Sequence, residues 1–134
     1  MSIESIISII ISIFSSSIIT LFLSTFILNP LQEKKKYIFG EKKCVYESII
    51  VFAQIVLFPK EAKYSLGVAR YNIQELSDEQ NVQNAINDLK MAIPKVKLLT
   101  KNNNVLDRLK HFIDDRNEES FDILVWALRK DLYK

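Results

Sequence analysis

The chain has 134 residues, 49% of them hydrophobic, and its 18 Lys and Arg against 16 Asp and Glu give a net charge of +2. One His, one Cys and two widely separated Gly exclude an ordinary zinc site, a Cys/His or Ser/His catalytic pair with supporting groups, and a Gly-rich phosphate loop. The charge is unevenly placed: residues 1–28 contain only Glu4, so the remainder holds all 18 basic residues and is mildly basic, with room for one modest aqueous domain and not two.

From Ile6 to Leu28, 23 residues run without a charge. At 1.5 Å per residue this helix is about 34 Å long, enough to cross a hydrocarbon core of roughly 30 Å with some tilt. Lys34, Lys35, Lys36, Lys42 and Lys43 follow closely, whereas the flank Met1-Ser2-Ile3-Glu4-Ser5 has no basic side chain. The positive-inside rule therefore predicts an N-terminus outside and a C-terminal domain in the cytoplasm, a single-pass arrangement. A cleaved signal peptide fits less well, because there is no basic n-region, no Ala-x-Ala site, and the apolar run is too long. The lone Cys44 fits a reducing compartment, cannot form an internal disulfide and reads as a small apolar residue.

Hydroxyls interrupt the span. On a helical wheel Ser5, Ser8, Ser12, Ser15 and Ser16 fall within about 100° of arc, and Thr20 and Ser24 continue the line with a slow drift. Three readings compete: hydroxyls bonded back to their own carbonyls, small residues at a helix-helix contact, and hydroxyls lining a wet pore. The four-residue ladder Ser8, Ser12, Ser16, Thr20, Ser24 is a small-xxx-small pattern and argues for self-association into a homo-oligomer. Pore lining is a further step, in which Phe14 and Phe22 beside the stripe are candidates for a hydrophobic gate.

Beyond the span the pattern is all-α: Gly and Pro are sparse and no sustained apolar/polar alternation appears. Residues 1–29 form the N-terminal segment and transmembrane helix, 30–43 a basic connector, and 44–134 a compact cytoplasmic domain of about five helices. Asn29-Pro30 closes the span or restarts a helix. A second helix is expected over about Leu31 to Phe58. Its apolar part, Cys44 to Phe58, includes Glu47 and Gln54 and is only 15 residues long, which suits a core helix better than a re-entrant or second crossing. Pro59 starts a third helix, whose Ala62, Leu66, Ala69, Ile73 and Leu76 form a seam. Ser77-Asp78-Glu79-Gln80 is a capping box for a fourth helix that Pro94 ends or kinks. Asn102-Asn103-Asn104 caps a fifth, with Val105, Leu106, Leu109, Phe112 and Ile113 inward. The last begins near Asn117, with Glu118 and Glu119 in its positive first turn and Arg129 and Lys130 near its negative end.

Little here can do chemistry. Asp114-Asp115 and Glu118-Glu119 flank a helix start, where acids are ordinarily stabilising, so no catalytic residue, cofactor or metal is expected. The lysines have two readings. Juxtamembrane Lys rests on anionic lipid headgroups. Yet Lys34, Lys35, Lys36, Lys42 and Lys43 alternate with Tyr37, Phe39 and Tyr46, and the third helix adds Lys60, Lys63, Tyr64, Arg70 and Tyr71. Cations beside aromatic faces suit a nucleotide or short oligonucleotide, and Lys34, Lys35, Lys36, Lys42, Lys43, Lys63, Arg70 and Tyr71 are the candidate ligand residues. The bland alternative makes Tyr46 and Tyr64 core residues.

An outward N-terminus, one hydroxyl-rich span, a lysine collar and a helical domain closing on Phe121-Asp-Ile-Leu124-Val-Trp-Ala-Leu-Arg129-Lys130-Asp131-Leu132 resemble the small single-span membrane effectors of bacterial anti-phage systems that pair them with a nucleotidyltransferase, the Hailong type among them. The resemblance covers the architecture of the whole chain, and only its closing stretch has motif character. It implies an inner-membrane oligomer that conducts ions, is gated by an oligonucleotide made by the partner nucleotidyltransferase, and arrests growth by depolarisation. It transfers no ligand residue. The competing expectations are a membrane-tethered helical scaffold that docks a partner, and a holin-like lysis protein that needs no ligand.

Overall fold

A computed structural model describes residues 2–65 and 73–134, and every regular element among them is helical. The chain divides into two compact units, Met1–Ile38 and Phe39–Lys134. The division falls inside the basic connector expected over 30–43.

The first unit is built on α1 (Ile3–Leu23), a π-helical turn (Ser24–Leu28) and the start of α2 (Asn29–Leu57). Ser2 caps α1 by accepting from the Ser5 amide at 3.2 Å. No residue of α1 is buried, and the helix is long and apolar enough to cross a membrane. Asn29 and Pro30 neither close the span nor cap a new helix, since Asn29 keeps helical dihedrals at φ −63°, ψ −47°. The physical reason lies in the missing proline N–H: Pro30 cannot donate to the Phe26 carbonyl, and the ladder adjusts by letting the Asn29 amide reach back five residues to Ser24 O.

The second unit packs the remainder of α2 with α3 (Pro59–Lys63), a 3-10 turn (Ile73–Glu75), α4 (Asp78–Leu99), α5 (Asn103–Asp115) and α6 (Glu118–Leu132). Its core brings Tyr46, Ile49 and Ala53 of α2 onto Ile86, Leu89 and Val96 of α4, Leu109 and Phe112 of α5, and Leu124 and Leu128 of α6. Steps of three and four put each set on one helix face. A smaller cluster of Ile55, Ala62, Ile73 and Ala85 lies beside it. The segment expected to be a core helix thus has its apolar face inside protein, while Cys44 is exposed.

The expected third helix is the largest departure. α3 stops after five residues at Lys63, Tyr64 turns at φ −106°, ψ 4°, and Ile73 to Glu75 form a 3-10 turn. The continuous seam from Ala62 to Leu76 is therefore absent: Ala62 and Ile73 are buried in the smaller cluster from separate elements, and Leu66 and Ala69 lie outside the described residues. Helix α4 also outruns its expected end. Pro94 has no N–H to donate to the carbonyl of Lys90, an exposed residue, and Val96, fully buried, holds the last turn in the core. Ser77 forms the expected capping box with Gln80, and Asn117 forms one with Ser120. Arg116 makes the tight α5–α6 turn with a left-handed φ of 53°, and its Nε donates to Ile113 O at 2.9 Å.

Candidate functional site: a buried carboxylate behind an aromatic, cationic helix face

Two opposite faces of α6 carry the chemistry of the second unit. On the inner face, Asp131 follows Leu124 and Leu128 by steps of seven and three, which puts a carboxylate where a core residue belongs. It is 2% exposed. Burying a carboxylate is unfavourable without partners, and four donors converge on it. Tyr46 Oη donates to Oδ2 at 2.6 Å, Lys42 Nζ approaches Oδ2 at 3.1 Å, Thr100 Oγ1 donates to Oδ1 at 3.0 Å and Asn102 Nδ2 lies 3.5 Å from Oδ1. Burial alone pushes the Asp131 carboxyl up, but the hydrogen bonds from Tyr46, Lys42 and Thr100 and the Lys42 charge outweigh it and hold the group below the ordinary carboxylate value. Burial, and then the bond to this anion and its charge, push the Tyr46 phenol far above its usual value.

On the outer face, Trp126, Arg129, Lys130 and Tyr133 stand at i, i+3, i+4 and i+7 and line an open groove of about 840 Å³. Trp126 is 65% and Tyr133 71% exposed. Phe39 meets the Tyr133 ring with centroids 6.1 Å apart and planes at 55°. Two planar rings and two cations on one stripe can stack a flat apolar body and neutralise an anion attached to it.

The residues singled out in the sequence are dispersed. Lys42 is committed to Asp131. Lys43 stands 4.0 Å from Glu47, an exposed pair one helical turn apart. Lys63 Nζ donates to Leu76 O at 2.9 Å and lies 3.7 Å from Asp78. Lys34, Lys35 and Lys36 are exposed on the part of α2 that belongs to the first unit. Arg70 and Tyr71 lie outside the described residues. Tyr46 is a core residue and Tyr64 is exposed.

Along α1, Ser12 Oγ donates to Ser8 O at 3.0 Å, Ser17 Oγ to Ile13 O at 3.0 Å and Thr20 Oγ1 to Ser16 O at 2.8 Å, so part of the stripe is bonded to its own backbone. Ser5 and Ser2 share a hydroxyl contact of 2.9 Å at the cap, Ser15 is exposed and Ser24 half-buried. Phe14 is exposed, and Phe22 meets Phe26 with centroids 4.8 Å apart.

Sequence reasoning missed Asp131 and the outer face of α6. Both carried a signal: an acid in phase with Leu124 and Leu128, and an aromatic, cationic stripe at helical spacing. Comparison with protein-family models, with characterised proteins and with solved structures finds no match to this chain.

Proposed function

We propose that this chain is a homo-oligomeric, single-span effector of the bacterial inner membrane that forms a ligand-gated ion-conducting pore, acting in anti-phage defence by depolarising the membrane. The observation that carries the reading is α1, a helix with no buried residue, coated in Ile, Leu and Phe yet marked by a four-residue ladder of hydroxyls. Lipid suits the apolar flanks, and sister helices or water suit the ladder. The lysines after the span support an N-terminus outside and the Phe39–Lys134 unit in the cytoplasm. Gating by a nucleotide or oligonucleotide made by a partner nucleotidyltransferase is supported by the groove of Trp126, Arg129, Lys130 and Tyr133, where bases meet rings and phosphates meet cations. The architectural resemblance to Hailong-type effectors supports the same reading.

The experiment is a lysine scan of the ladder in cells expressing the full chain, read by a potential-sensitive dye and by growth. Ser12→Lys and Ser16→Lys are expected to change membrane potential, because a charge in a pore alters conduction. No change in either readout, together with a monomeric mass for the detergent-solubilised protein, would sink the pore. A second reading, a membrane-tethered scaffold, is favoured by the backbone bonds of Ser12, Ser17 and Thr20, which satisfy hydroxyls without any neighbour. It predicts that both substitutions are silent while loss of residues 31–134 abolishes function.

A further inference from the structure

We infer that the cleft between α2, the Ile73–Glu75 turn and the first half of α4 is a second binding site, one that takes a small organic cation with an apolar body. The cleft has a volume of about 340 Å³. Phe52 and Ile55 of α2 and Ile73 form its apolar wall, and Asn81, Asn84 and Asp88 form its polar wall on α4. With Asn87 also on the polar side, the lining is divided about evenly, which suits a ligand that is itself half apolar and half polar.

The polar wall is short of donors. Asn81 is 2% exposed, and its Nδ2 donates to the Ile73 carbonyl at 2.8 Å. A carbonyl only accepts, so this bond fixes which end of the amide faces Ile73 and turns Oδ1 away from it. Oδ1 is buried and has no hydrogen-bond partner among the described residues. Native structures rarely leave such an acceptor without a donor. Among the described residues Asp88 takes part in no ion pair, and no Lys or Arg lines the cleft. An orphaned amide oxygen and a carboxylate with no ion pair among the described residues on the polar wall, with an aromatic ring on the apolar one, select the same ligand chemistry: an ammonium or amidinium, donating hydrogen bonds and carrying positive charge, on a compact apolar frame. The site is separate in residues and opposite in charge preference from the groove on α6.

Benzamidine is the probe, with benzyl alcohol as the neutral control and benzoate as the anionic one, titrated by calorimetry into the full chain held in neutral-lipid nanodiscs. The expected result is one-site saturable binding of benzamidine, weaker binding of benzyl alcohol and none of benzoate. Asp88→Asn, at an exposed position that leaves the core intact, should weaken benzamidine roughly fivefold with little effect on benzyl alcohol. Asn84→Trp, at the rim, should block the cleft and abolish binding of both. The proposal is overturned if benzamidine gives no saturable binding, or if its affinity is unchanged by Asp88→Asn and Asn84→Trp. It is overturned equally by a high-resolution structure in which one ordered water holds Asn81 Oδ1 and the probe does not displace it.

Discussion

The carboxylate of Asp131 on α6 accepts a 2.6 Å hydrogen bond from the phenol of Tyr46 on α2, 85 residues earlier in the chain. With Lys42 at 3.1 Å on the same oxygen, this contact fastens the last helix to the first helix of its unit. Removing one member of such a cluster strands the others. Asp131→Ala is expected to lower the stability of the second unit by about 3–5 kcal/mol, because Lys42 and Tyr46 lose their partner in a poorly solvated place. Tyr46→Phe should cost about 1–2 kcal/mol. The pair Asp131→Leu with Lys42→Met should recover much of the Asp131→Ala loss. Urea denaturation of these three variants beside the parent measures all of this.

The same cluster sets two pH limits. The folded-state pKa of Asp131 lies below its ordinary value of 3.8, so its contribution is present above about pH 4 and is lost as pH falls through the depressed value. Tyr46 is raised from 10.0, so its contribution is complete below about pH 10 and fades as pH climbs toward the folded value. Thermal unfolding against pH should therefore show an acid limb that Asp131→Asn flattens and an alkaline limb that Tyr46→Phe flattens. An acid limb identical in Asp131→Asn and the parent would mean that other carboxylates govern it.

Trp126 is the only tryptophan in the chain, and it stands in the groove. A single-stranded oligonucleotide is expected to quench its fluorescence, with an affinity that falls as salt rises. Arg129→Gln with Lys130→Gln should weaken the quenching and reduce the salt dependence, while leaving stability within about 0.5 kcal/mol because both side chains are exposed. Fluorescence that does not respond to any oligonucleotide at low salt would remove the nucleotide from the proposed gating.

Gly40 sits inside α2, and a Cβ added there would meet nothing within 4 Å. Gly40→Ala should therefore stabilise the helix by about 0.5–1 kcal/mol through the loss of backbone freedom in the unfolded chain. Circular dichroism during denaturation checks it, and a destabilised Gly40→Ala would point to an unrecognised contact at that position.

Capping gives a further pair. Ser77→Ala and Asn117→Ala should each cost about 1 kcal/mol, since each removes the acceptor for an N3 amide, Gln80 N at 3.2 Å and Ser120 N at 2.7 Å. Equal stability of either variant and the parent would show that water replaces the cap without loss.

Local signals were legible in the sequence wherever one short segment sufficed. Ser77 and Asn117 announced α4 and α6, Asn102 announced α5, and the spacing of Val105, Leu109 and Phe112 named a buried face. What failed depended on contacts distant in sequence. The steps from Ala62 to Leu76 fit a helix as well as any real one, but α3 ends at Lys63, and Ala62 and Ile73 reach the smaller cluster from two elements. Pro94 left open whether α4 ends or continues past it, and the burial of Val96 beyond it, which decides for continuation, is not visible in the local sequence. Partners of the lysines were not legible either: charge and spacing said nothing of them, and Lys42 and Lys63 are held by Asp131 and by Leu76 O. Asp131 showed its phase with Leu124 and Leu128, but the four donors that make a buried acid there tolerable come from other parts of the chain.

The π-helical turn before Pro30 has an angular consequence. An α-helix places successive residues about 100° apart, so a single extra residue in one turn slips the phase of everything after it by about that amount. Within the first unit, the azimuth of Lys34, Lys35 and Lys36 relative to the hydroxyl ladder is thus fixed by the Asn29 amide reaching Ser24 O. A proline without an N–H acts as a phase shifter between a stripe of hydroxyls and a collar of charge.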